Sequence, residues 1–313
     1  MKAIRIHQTG GSEVLSLEDV SPALVGTDHI QISVELAGVN FLDVYHRRGQ
    51  YPLPLPSGIG IEGIGHSHDG KRYFWLNILG SYAQEIIASK SSLTELPNSD
   101  LSNEEILPLL CQGMTAHYLV DGAYNASEND VAIVTAASGG VGLLLVQLLK
   151  ARGSKVIALA STQERADFAK SLGADLAGTY TQVHQLITEL TKSQGATVVY
   201  DSIGKDFFDQ GLDSLAPSGF YMLFGGASGP VPPFDLMRLN SKSLAIRRPT
   251  LATYTATAEM RLRRLNELIL LQKQGLLRYP PAKVFSISES SKAHQLIESR
   301  TYKGKIGIDP WKI

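Results

Sequence analysis

Cysteine is almost absent from this chain, since Cys111 is the only one among 313 residues. A single thiol cannot form an internal disulfide, and it cannot supply the several cysteine ligands of a structural zinc site. An excess of charge of one sign is also missing, because the net charge is −1 and no block of like charges occurs. We therefore expect neither a disulfide-stabilised scaffold nor a nucleic-acid-binding protein.

Long hydrophobic runs are missing as well. No stretch reaches the roughly 18 consecutive apolar residues that suggest a membrane-spanning helix, and the N-terminal stretch MKAIRIHQTGGSEVL lacks the apolar core of a signal peptide. We expect no membrane contact and a cytoplasmic location. The 43% of hydrophobic residues instead predict well-filled cores in about two globular domains.

A glycine-rich segment, DVAIVTAASGGVG, runs from Asp130 to Gly142. It predicts a buried strand, a tight turn and the start of a helix. This order is typical of a phosphate site, because small residues let the backbone approach a pyrophosphate and the N–H groups of the helix start favour an anion. The GxGxxG pattern is incomplete, with Ala137 in its first position and Gly139 and Gly142 in the others. By itself the segment is also consistent with a turn that binds nothing.

The order of elements decides between these two interpretations. The first part of the chain predicts short strands, a helix over 40–48 and a proline-rich loop over 51–60. From Val131 to Phe224 strands and helices alternate, which predicts a parallel sheet with helices on both faces. The glycine-rich turn then follows the first strand of that sheet, where a dinucleotide-binding fold requires it. The elements after residue 262 leave the alternating order, so we assign them to the first, β-rich domain.

A helix between these two regions carries its own start signal. Ser102 and Glu105 have the spacing of a capping box. They predict a helix that reaches to about Val120, with a kink at Pro108.

The residues after the second strand of the alternating region indicate which dinucleotide is bound. NAD-binding folds place a carboxylate there, on the ribose 2′-hydroxyl. Here Ala160 and Ser161 occupy the position, Thr162 is a helix cap, and Arg165 lies in the first helical turn. Hydroxyl, N–H and guanidinium groups suit a 2′-phosphate, so we predict NADPH rather than NADH. Glu164 lies beside this position, and a solvated surface arginine is the alternative interpretation of Arg165.

Four segments together resemble a known family. They are GVNFLDVYHRRGQYPLPLPSGIGIEGIG (Gly38 to Gly65), AASGGVG, VVYDSIG (Val198 to Gly204) and RRPTL (Arg247 to Leu251). In this order they are similar to the zinc-free quinone oxidoreductases, relatives of zeta-crystallin in the medium-chain dehydrogenase/reductase superfamily. Between Ile64 and Ser81 the chain is shorter than is usual in the family, so the rim of the active site is expected to differ there.

The resemblance implies an α/β fold in which a Rossmann doubly wound parallel sheet is inserted in a discontinuous GroES-like β-rich domain. Residues 1–113 are then the first part of the GroES-like catalytic domain, 114–253 the Rossmann NADPH-binding domain, and 254–313 the return to the catalytic domain. The resemblance also implies a homodimer paired through the sheet edges of the nucleotide domains.

The resemblance further implies a set of cofactor contacts. These are Asn40 and Thr115 near the nicotinamide, Gly139, Gly140 and Val141 at the pyrophosphate, Ser161, Arg165 and Tyr180 around the adenosine phosphate, Ser202, Phe224 and Ser228 along the cleft, and Arg248 and Lys305 as weaker candidates. For the two aromatic residues, burial in the core without a ligand is the alternative interpretation.

A catalytic zinc is not expected. In the zinc-dependent relatives three ligands are needed, but Asn40 stands in place of the first cysteine and Ile61 in place of the histidine. Cys111 matches the third ligand position, and one thiol cannot hold a catalytic metal.

The expected function is an NADPH-dependent, zinc-independent oxidoreductase that transfers hydride to a quinone. Asn40 would orient the nicotinamide or donate to the substrate oxygen, and the proton would come from water, Tyr45 or Tyr51. Both tyrosines also suit packing or substrate stacking. The alternatives are an enone or alkenal double-bond reductase and a non-catalytic, NADPH-binding structural protein.

Overall fold

The computed structural model describes residues 1–21 and 24–313. Its strands there are β1 (Lys2–Ile6), β2 (Ser16–Asp19), β3 (His29–Val39), β4 (Ser57–Gly58), β5 (Glu62–Ser67), β6 (Arg72–Trp75), β7 (Glu85–Ser89), β8 (Leu93–Glu95), β9 (Val131–Val134), β10 (Lys155–Ala160), β11 (Leu176–Thr179), β12 (Ala196–Asp201), β13 (Leu215–Leu223), β14 (Ala245–Arg247), β15 (Lys283–Ser286) and β16 (Ile306–Asp309). Its α-helices there are α1 (Phe41–Arg47), α2 (Asn103–Ile106), α3 (Cys111–Val120), α4 (Gly140–Ala151), α5 (Gln163–Ser171), α6 (Val183–Thr191), α7 (Phe208–Asp213), α8 (Leu251–Tyr254), α9 (Ala258–Lys273) and α10 (Ser290–Ser299).

These elements form two compact units. The first unit comprises Met1–Cys111, Thr255–Asn266 and Tyr279–Ile313, and the second comprises Gln112–Tyr254 and Glu267–Arg278. The domain boundaries implied by the resemblance, 1–113, 114–253 and 254–313, stay a prediction. In the described part of the chain, none of the helices has both the length and the apolar composition needed to cross a bilayer.

The first unit is built around strand β3. This strand pairs antiparallel with β5, β7 and β16 in a seven-stranded sheet, and a smaller antiparallel sheet has the order β2-β1-β4. Ile32 and Val34 alternate with more exposed neighbours and are fully buried, as expected for a strand with one face on a core. In the register, Val39 faces Ile306 and Gly38 faces Glu62. The end of β3 and the start of β16 therefore lie side by side.

The second unit contains a six-stranded parallel sheet of order β11-β10-β9-β12-β13-β14. Strands β9, β10 and β12 are almost continuously apolar and buried, which is typical of parallel strands covered on both faces. The predicted α/β architecture is confirmed. Because the strands are parallel, the segments that follow β9, β10, β12 and β13 emerge at the same edge, where ligands bind in such folds.

The helix predicted from Ser102 to Val120 is interrupted. The capping box forms, with the Ser102 N–H donating to Glu105 Oε2 at 2.8 Å, but α2 ends at Ile106. A 3-10 turn containing Pro108 follows before α3 begins. Proline lacks the N–H that a continuous helix needs and its ring crowds the preceding turn, so the predicted kink becomes a break.

Candidate dinucleotide and reaction sites

The glycine-rich turn after β9 is tightly constrained. Ala136 adopts a positive φ of 46°, and its N–H donates to the Tyr180 hydroxyl at 3.2 Å. The Gly139 N–H donates back to the Ala136 carbonyl at 2.8 Å. A Cβ on Gly142 would lie 2.2 Å from that same carbonyl oxygen, so only glycine fits at this position. The turn thus brings strand and helix together as a phosphate site requires.

The start of helix α4 presents N–H groups toward the space beyond this turn. Gly139 is the N-cap, and its carbonyl accepts the N–H of Leu143 at 2.9 Å. Within residues 1–21 and 24–313, the N–H groups of Gly140 and Val141 have no hydrogen-bond partner. Both residues are partly exposed. Unpaired N–H groups at the positive end of a helix dipole fit a pyrophosphate.

The residues that follow β10 provide the hydroxyl, helix-start and guanidinium groups expected of a site for a 2′-phosphate. Ser161 is exposed, and Thr162 caps α5 by accepting the Arg165 N–H on its hydroxyl at 3.4 Å. Arg165 is half-buried, and its guanidinium forms no ion pair within the described part of the chain. Glu164, the neighbouring acid, is exposed. Arg165 lies in the first turn of α5, three residues after the Thr162 cap, as the sequence predicts.

Asp201, at the end of β12, organises the neighbouring strand ends and was not predicted from the sequence as a site residue. Its carboxylate accepts hydrogen bonds from the Thr135 hydroxyl at 3.0 Å, the Ile203 N–H at 2.8 Å, the Gly204 N–H at 3.0 Å and the Tyr221 hydroxyl at 2.9 Å. Burial raises the pKa of Asp201 above its ordinary value, and these four donors oppose the shift. The Ser202 N–H donates to the Thr135 hydroxyl oxygen at 2.9 Å, which fixes Ser202 in the same network. The sequence did contain a signal for this residue, namely a single acidic residue at the end of an otherwise apolar, buried strand.

The remaining predicted cofactor residues of the second unit lie in different settings. Ser228 is held by its own loop, donating to the Ile203 carbonyl at 2.8 Å and accepting the Asp206 N–H at 3.0 Å. Phe224 directly follows β13 and is half-buried, and Thr115 is half-buried on α3. The exposed Arg248 donates to the Leu223 carbonyl at 2.9 Å. The ring of Tyr180 packs 5.7 Å from that of Phe207, and its hydroxyl accepts the Ala136 N–H of the turn, so its contact with the adenosine phosphate stays a prediction.

In the first unit, helix α1 carries the residues predicted for the reaction. Asn40 precedes the helix, and its N–H donates to Asp43 Oδ2 at 2.8 Å, which closes the first turn. Tyr45 lies on the helix and Tyr51 in the loop that follows it, with ring centroids 5.8 Å apart. Tyr51 is 50% exposed, so its ring is accessible to a ligand.

Asn40 also belongs to a buried polar cluster with Glu62 and Lys305. The Lys305 ammonium lies 2.8 Å from Asn40 Oδ1 and donates to Glu62 Oε2. The Asn40 amide N–H donates to that same carboxylate oxygen at 2.8 Å, and the Cys111 backbone N–H donates to Glu62 Oε1 at 2.6 Å. Lys305, which was predicted as a weaker cofactor contact, is fully buried.

The residues at the expected zinc-ligand positions do not fit a zinc ion. The Asn40 amide is engaged by Lys305 and Glu62, and Ile61 has no ligand atom. Burial, with the negative charge of Glu62, raises the pKa of the Cys111 thiol to about 12, far from the thiolate that binds zinc. A fixed ammonium beside the only carboxylate of the cluster further disfavours a second cation.

One further group of possible metal ligands occurs in the described ranges. His117, Asp121 and Glu267 place their donor atoms within 4.8 Å of one another. His117 Nε2 lies 2.7 Å from Glu267 Oε2, and Arg152 lies 3.5 Å from Asp121. These contacts describe an ion-paired cluster inside the second unit.

A unit with a parallel sheet and a glycine-rich strand-to-helix turn, joined in one chain to a strand-rich unit, is the arrangement seen in the medium-chain dehydrogenase/reductase class. Residues 140–267 match the family model described as zinc-binding dehydrogenase. The chain is 34% identical to the quinone oxidoreductase of Pseudomonas aeruginosa over 99% of both chains, and 32% identical to a 2-haloacrylate reductase of Burkholderia over 97% of this chain and 98% of that one. The crystal structure of Escherichia coli quinone oxidoreductase complexed with NADPH matches with a TM-score of 0.92 and 32% identity, covering 99% of this chain and 100% of that one. The chain belongs to the zinc-free quinone oxidoreductase family.

Proposed function

We propose that this protein is an NADPH:quinone oxidoreductase that transfers hydride without a metal. The cradle at the start of α4 carries the proposal, because it combines unpaired N–H groups with the close strand-to-helix approach at Gly142. Arg165, in the absence of an acid at Ser161, supports NADPH over NADH. The near-neutral charge supports a small-molecule substrate rather than nucleic acid, and the single cysteine is compatible with a cytoplasmic location.

The chain's own residues bind and orient the reactants. Gly139, Gly140 and Val141 are proposed to hold the pyrophosphate, and the other cofactor contacts except Lys305 follow the assignments given above. Bound NADPH supplies hydride from the nicotinamide C4, which a quinone accepts because its conjugated carbonyls spread the charge. Asn40 orients the nicotinamide or donates an amide N–H to a substrate oxygen. The proton that completes the reduction comes from water, or from the hydroxyl of Tyr45 or Tyr51.

A reductase of conjugated double bonds is the second candidate. The 2-haloacrylate reductase of Burkholderia covers nearly the whole chain at 32% identity, and its name describes reduction of an activated alkene. Both acceptors take hydride at a position conjugated to a carbonyl or carboxylate, so one arrangement of residues serves either. The acceptor must therefore be tested directly.

We expect NADPH oxidation by quinones to exceed that by alkenals, enones and haloacrylates, with NADPH strongly preferred over NADH. The measurement is initial rate with each cofactor against each acceptor class. In Arg165→Ala, KM for NADPH should rise about 10- to 100-fold while KM for NADH stays unchanged, because a charge-assisted bond to the 2′-phosphate contributes about 1.5–3 kcal/mol.

Arg278→Ala is the matched control, since Arg278 is an exposed arginine of the same unit. Preference for alkenes would establish the second candidate. Tight NADPH binding without oxidation by any acceptor would instead favour a non-catalytic NADPH-binding protein. Equal use of NADH, unaffected by Arg165→Ala, would contradict the cofactor assignment.

We also propose a homodimer formed through the β14 edge of the parallel sheet. An edge strand leaves main-chain groups free for pairing, and β14 is short and not fully buried. The 3-10 segment Leu236–Lys242, which precedes it, exposes Leu236 at 70% and Met237 at 68%. Adjacent apolar side chains of this kind are typical of a contact with a second copy.

Light scattering after size exclusion should give twice the chain mass for the natural protein. The variant Leu236→Glu/Met237→Glu is expected to be monomeric, because charges in a desolvated contact are costly. Leu24→Glu, at a 97% exposed leucine of the first unit, should remain dimeric. A monomeric natural protein, or a dimer that survives the double substitution, would refute this edge as the interface.

A further inference from the structure

A buried ion pair lies beside the start of helix α1. Lys305 and Glu62 have no solvent-exposed surface and contact each other directly. Taking two charges out of water is costly, so such a pair is tolerated only when further hydrogen bonds satisfy it. Those bonds come from the Asn40 amide and the Cys111 backbone N–H, both donating to the Glu62 carboxylate.

Strand register brings these side chains together. Pairing of β3 with β16 sets Val39 opposite Ile306, so the adjacent residues Asn40 and Lys305 are neighbours. Pairing of β3 with β5 sets Gly38 opposite Glu62. A Cβ on Gly38 would lie 2.2 Å from Glu62 Oε2 and 3.0 Å from Lys305 Cε, so the missing side chain leaves the space that the ion pair fills.

The two charges determine which way the Asn40 amide faces. An ammonium has only donors and an ionised carboxylate has only acceptors. Asn40 therefore directs Oδ1 at Lys305 and Nδ2 at Glu62. A flipped amide would place its NH2 group against the Lys305 ammonium and its oxygen against the Glu62 carboxylate. The carboxamide has one favourable orientation as long as both charges are present.

This orientation leaves one amide hydrogen available. One N–H of Nδ2 is used by Glu62 at 2.8 Å, whereas the next acceptor, the Gly38 carbonyl, lies 3.5 Å away, at the limit of a hydrogen bond. Asn40 is 7% exposed, so unlike Lys305 it retains some contact with solvent. A ligand oxygen that reaches Asn40 meets a donor whose direction is already set.

We propose that Lys305 is a positioning residue, which holds the Asn40 carboxamide by its oxygen so that the second amide N–H is offered to a carbonyl oxygen of the substrate or the nicotinamide. This role replaces the direct cofactor contact expected for Lys305. It rests on the proposed function, because the carbonyl belongs to the hydride-transfer reaction. Lys305 acts only through Asn40, so its effect must disappear when Asn40 is removed.

The test is a mutant cycle on kcat. Asn40→Ala and Lys305→Met should each lower kcat by about 10- to 100-fold, the scale of a misplaced reacting group, with the NADPH dissociation constant changed less than twofold. The double variant Asn40→Ala/Lys305→Met should have a kcat no lower than that of Asn40→Ala alone. Lys312→Met, at an exposed lysine of the same terminal segment, should match the natural protein.

Lys305→Met leaves a buried, unpaired Glu62 carboxylate that could itself cause misfolding. A second variant in which both charges are removed controls for this effect. In Glu62→Gln/Lys305→Met no buried charge remains, and the Cys111 N–H still binds the glutamine carbonyl, so the glutamine NH2 faces Asn40 and favours the opposite orientation of the Asn40 amide. This protein should fold, bind NADPH and lose the same activity. Unchanged kcat in the folded neutral variant, or losses that multiply when Asn40→Ala is added, would overturn the proposal.

A second measurement separates this proposal from the proposed function. The Asn40 side-chain amide signals, assigned by their loss in Asn40→Ala, should show slow hydrogen exchange in the natural protein and fast exchange in the neutral variant. Slow exchange in both would refute the positioning role even if the enzyme is active. Absence of acceptor reduction by the natural protein would instead refute the proposed function, whatever the amide shows.

Discussion

Gly142→Ala is expected to weaken NADPH binding about 100-fold, equivalent to about 3 kcal/mol. The added Cβ would lie 2.2 Å from the Ala136 carbonyl oxygen and 2.8 Å from the Ala137 Cα, so backbone rather than a flexible side chain must move. Moving it displaces the N–H groups of Gly140 and Val141 that are proposed to bind the pyrophosphate. Overpacking also costs about 1–3 kcal/mol of folding free energy, and we expect the upper end here.

Fluorescence titration with NADPH and urea unfolding measure the two effects. Gly26→Ala is the control, because its Cβ would meet nothing closer than 3.4 Å and the residue lies in an exposed loop. It should leave both quantities within error. If Gly142→Ala bound NADPH with natural affinity, the turn would not be the phosphate site.

The stability of the first unit should respond to pH through a second buried chain of groups. Arg47 donates to His294 Nδ1 at 3.3 Å, His294 Nε2 lies 3.2 Å from the Tyr82 hydroxyl oxygen, and that hydroxyl donates to Asp43 Oδ2 at 2.9 Å. Because arginine only donates, His294 accepts at Nδ1 and must be the neutral tautomer that carries its proton on Nε2. Asp43 Oδ1 is buried and has no partner among the described residues, which is where a proton fits.

The pKa values of Asp43 and His294, two groups of this hydrogen-bonded chain, are displaced in opposite directions. Burial raises the pKa of Asp43 from 3.8 to about 7, although hydrogen bonds from the Asn40 N–H and the Tyr82 hydroxyl oppose this shift. Burial, assisted by the charge of Arg47, lowers the pKa of His294 from 6.5 to about 3. Between about pH 4 and 6.5 the folded state therefore holds a proton on Asp43 that the unfolded state has lost, and lacks one on His294 that the unfolded state has gained.

Asp43 alone makes the free energy of unfolding fall as pH rises through this window, and His294 alone makes it rise. Each group changes the free energy of unfolding by up to about 1.4 kcal/mol per pH unit. Because the two changes have opposite signs, they largely cancel in the natural protein. Asp43→Asn should reveal a stability that increases with pH relative to the natural protein, and His294→Gln one that decreases. Glutamine can accept from Arg47 and donate to Tyr82, so it preserves the chain of hydrogen bonds.

Urea unfolding at pH 4.5, 5.5 and 6.5 gives these slopes. Exposed carboxylates make the same contribution to the pH dependence of unfolding free energy in all three proteins. Subtracting the values of the natural protein from those of each variant removes this contribution. The combined Asp43→Asn/His294→Gln variant should return to the natural pH dependence. Parallel curves for the single variants would show that neither group keeps its displaced pKa in the folded chain.

Local signals in the sequence predicted most of the fold. The alternation from Val131 to Phe224 identified the parallel sheet, because the apolar runs and the glycine turn are read from contiguous residues. The Ser102–Glu105 capping box gave the start of α2 for the same reason. Pro108 was recognised as a disturbance, but whether a proline kinks or breaks a helix depends on packing that the sequence does not contain.

The reaction-site cluster was only partly predictable. Asn40 was noticed through the lost zinc ligands, but Glu62 was not singled out. The position of Lys305 depends on the register of β16 against β3, across 265 residues of chain. Asp43 and His294 are likewise far apart in sequence and meet only through Tyr82. A buried lysine and a buried histidine carry no local pattern that separates them from exposed ones.

The hydrogen bond between the Ala136 N–H and the Tyr180 hydroxyl has a consequence for the energetics of ligand capture. Ala136 adopts a backbone conformation that residues with a Cβ seldom occupy, and its hydrogen bond to Tyr180, directly after β11, holds it there. The loop is thus immobilised during folding, before any dinucleotide arrives. Association then loses little chain entropy at the phosphates, so we expect the ligand's own flexibility to dominate the unfavourable entropy of binding.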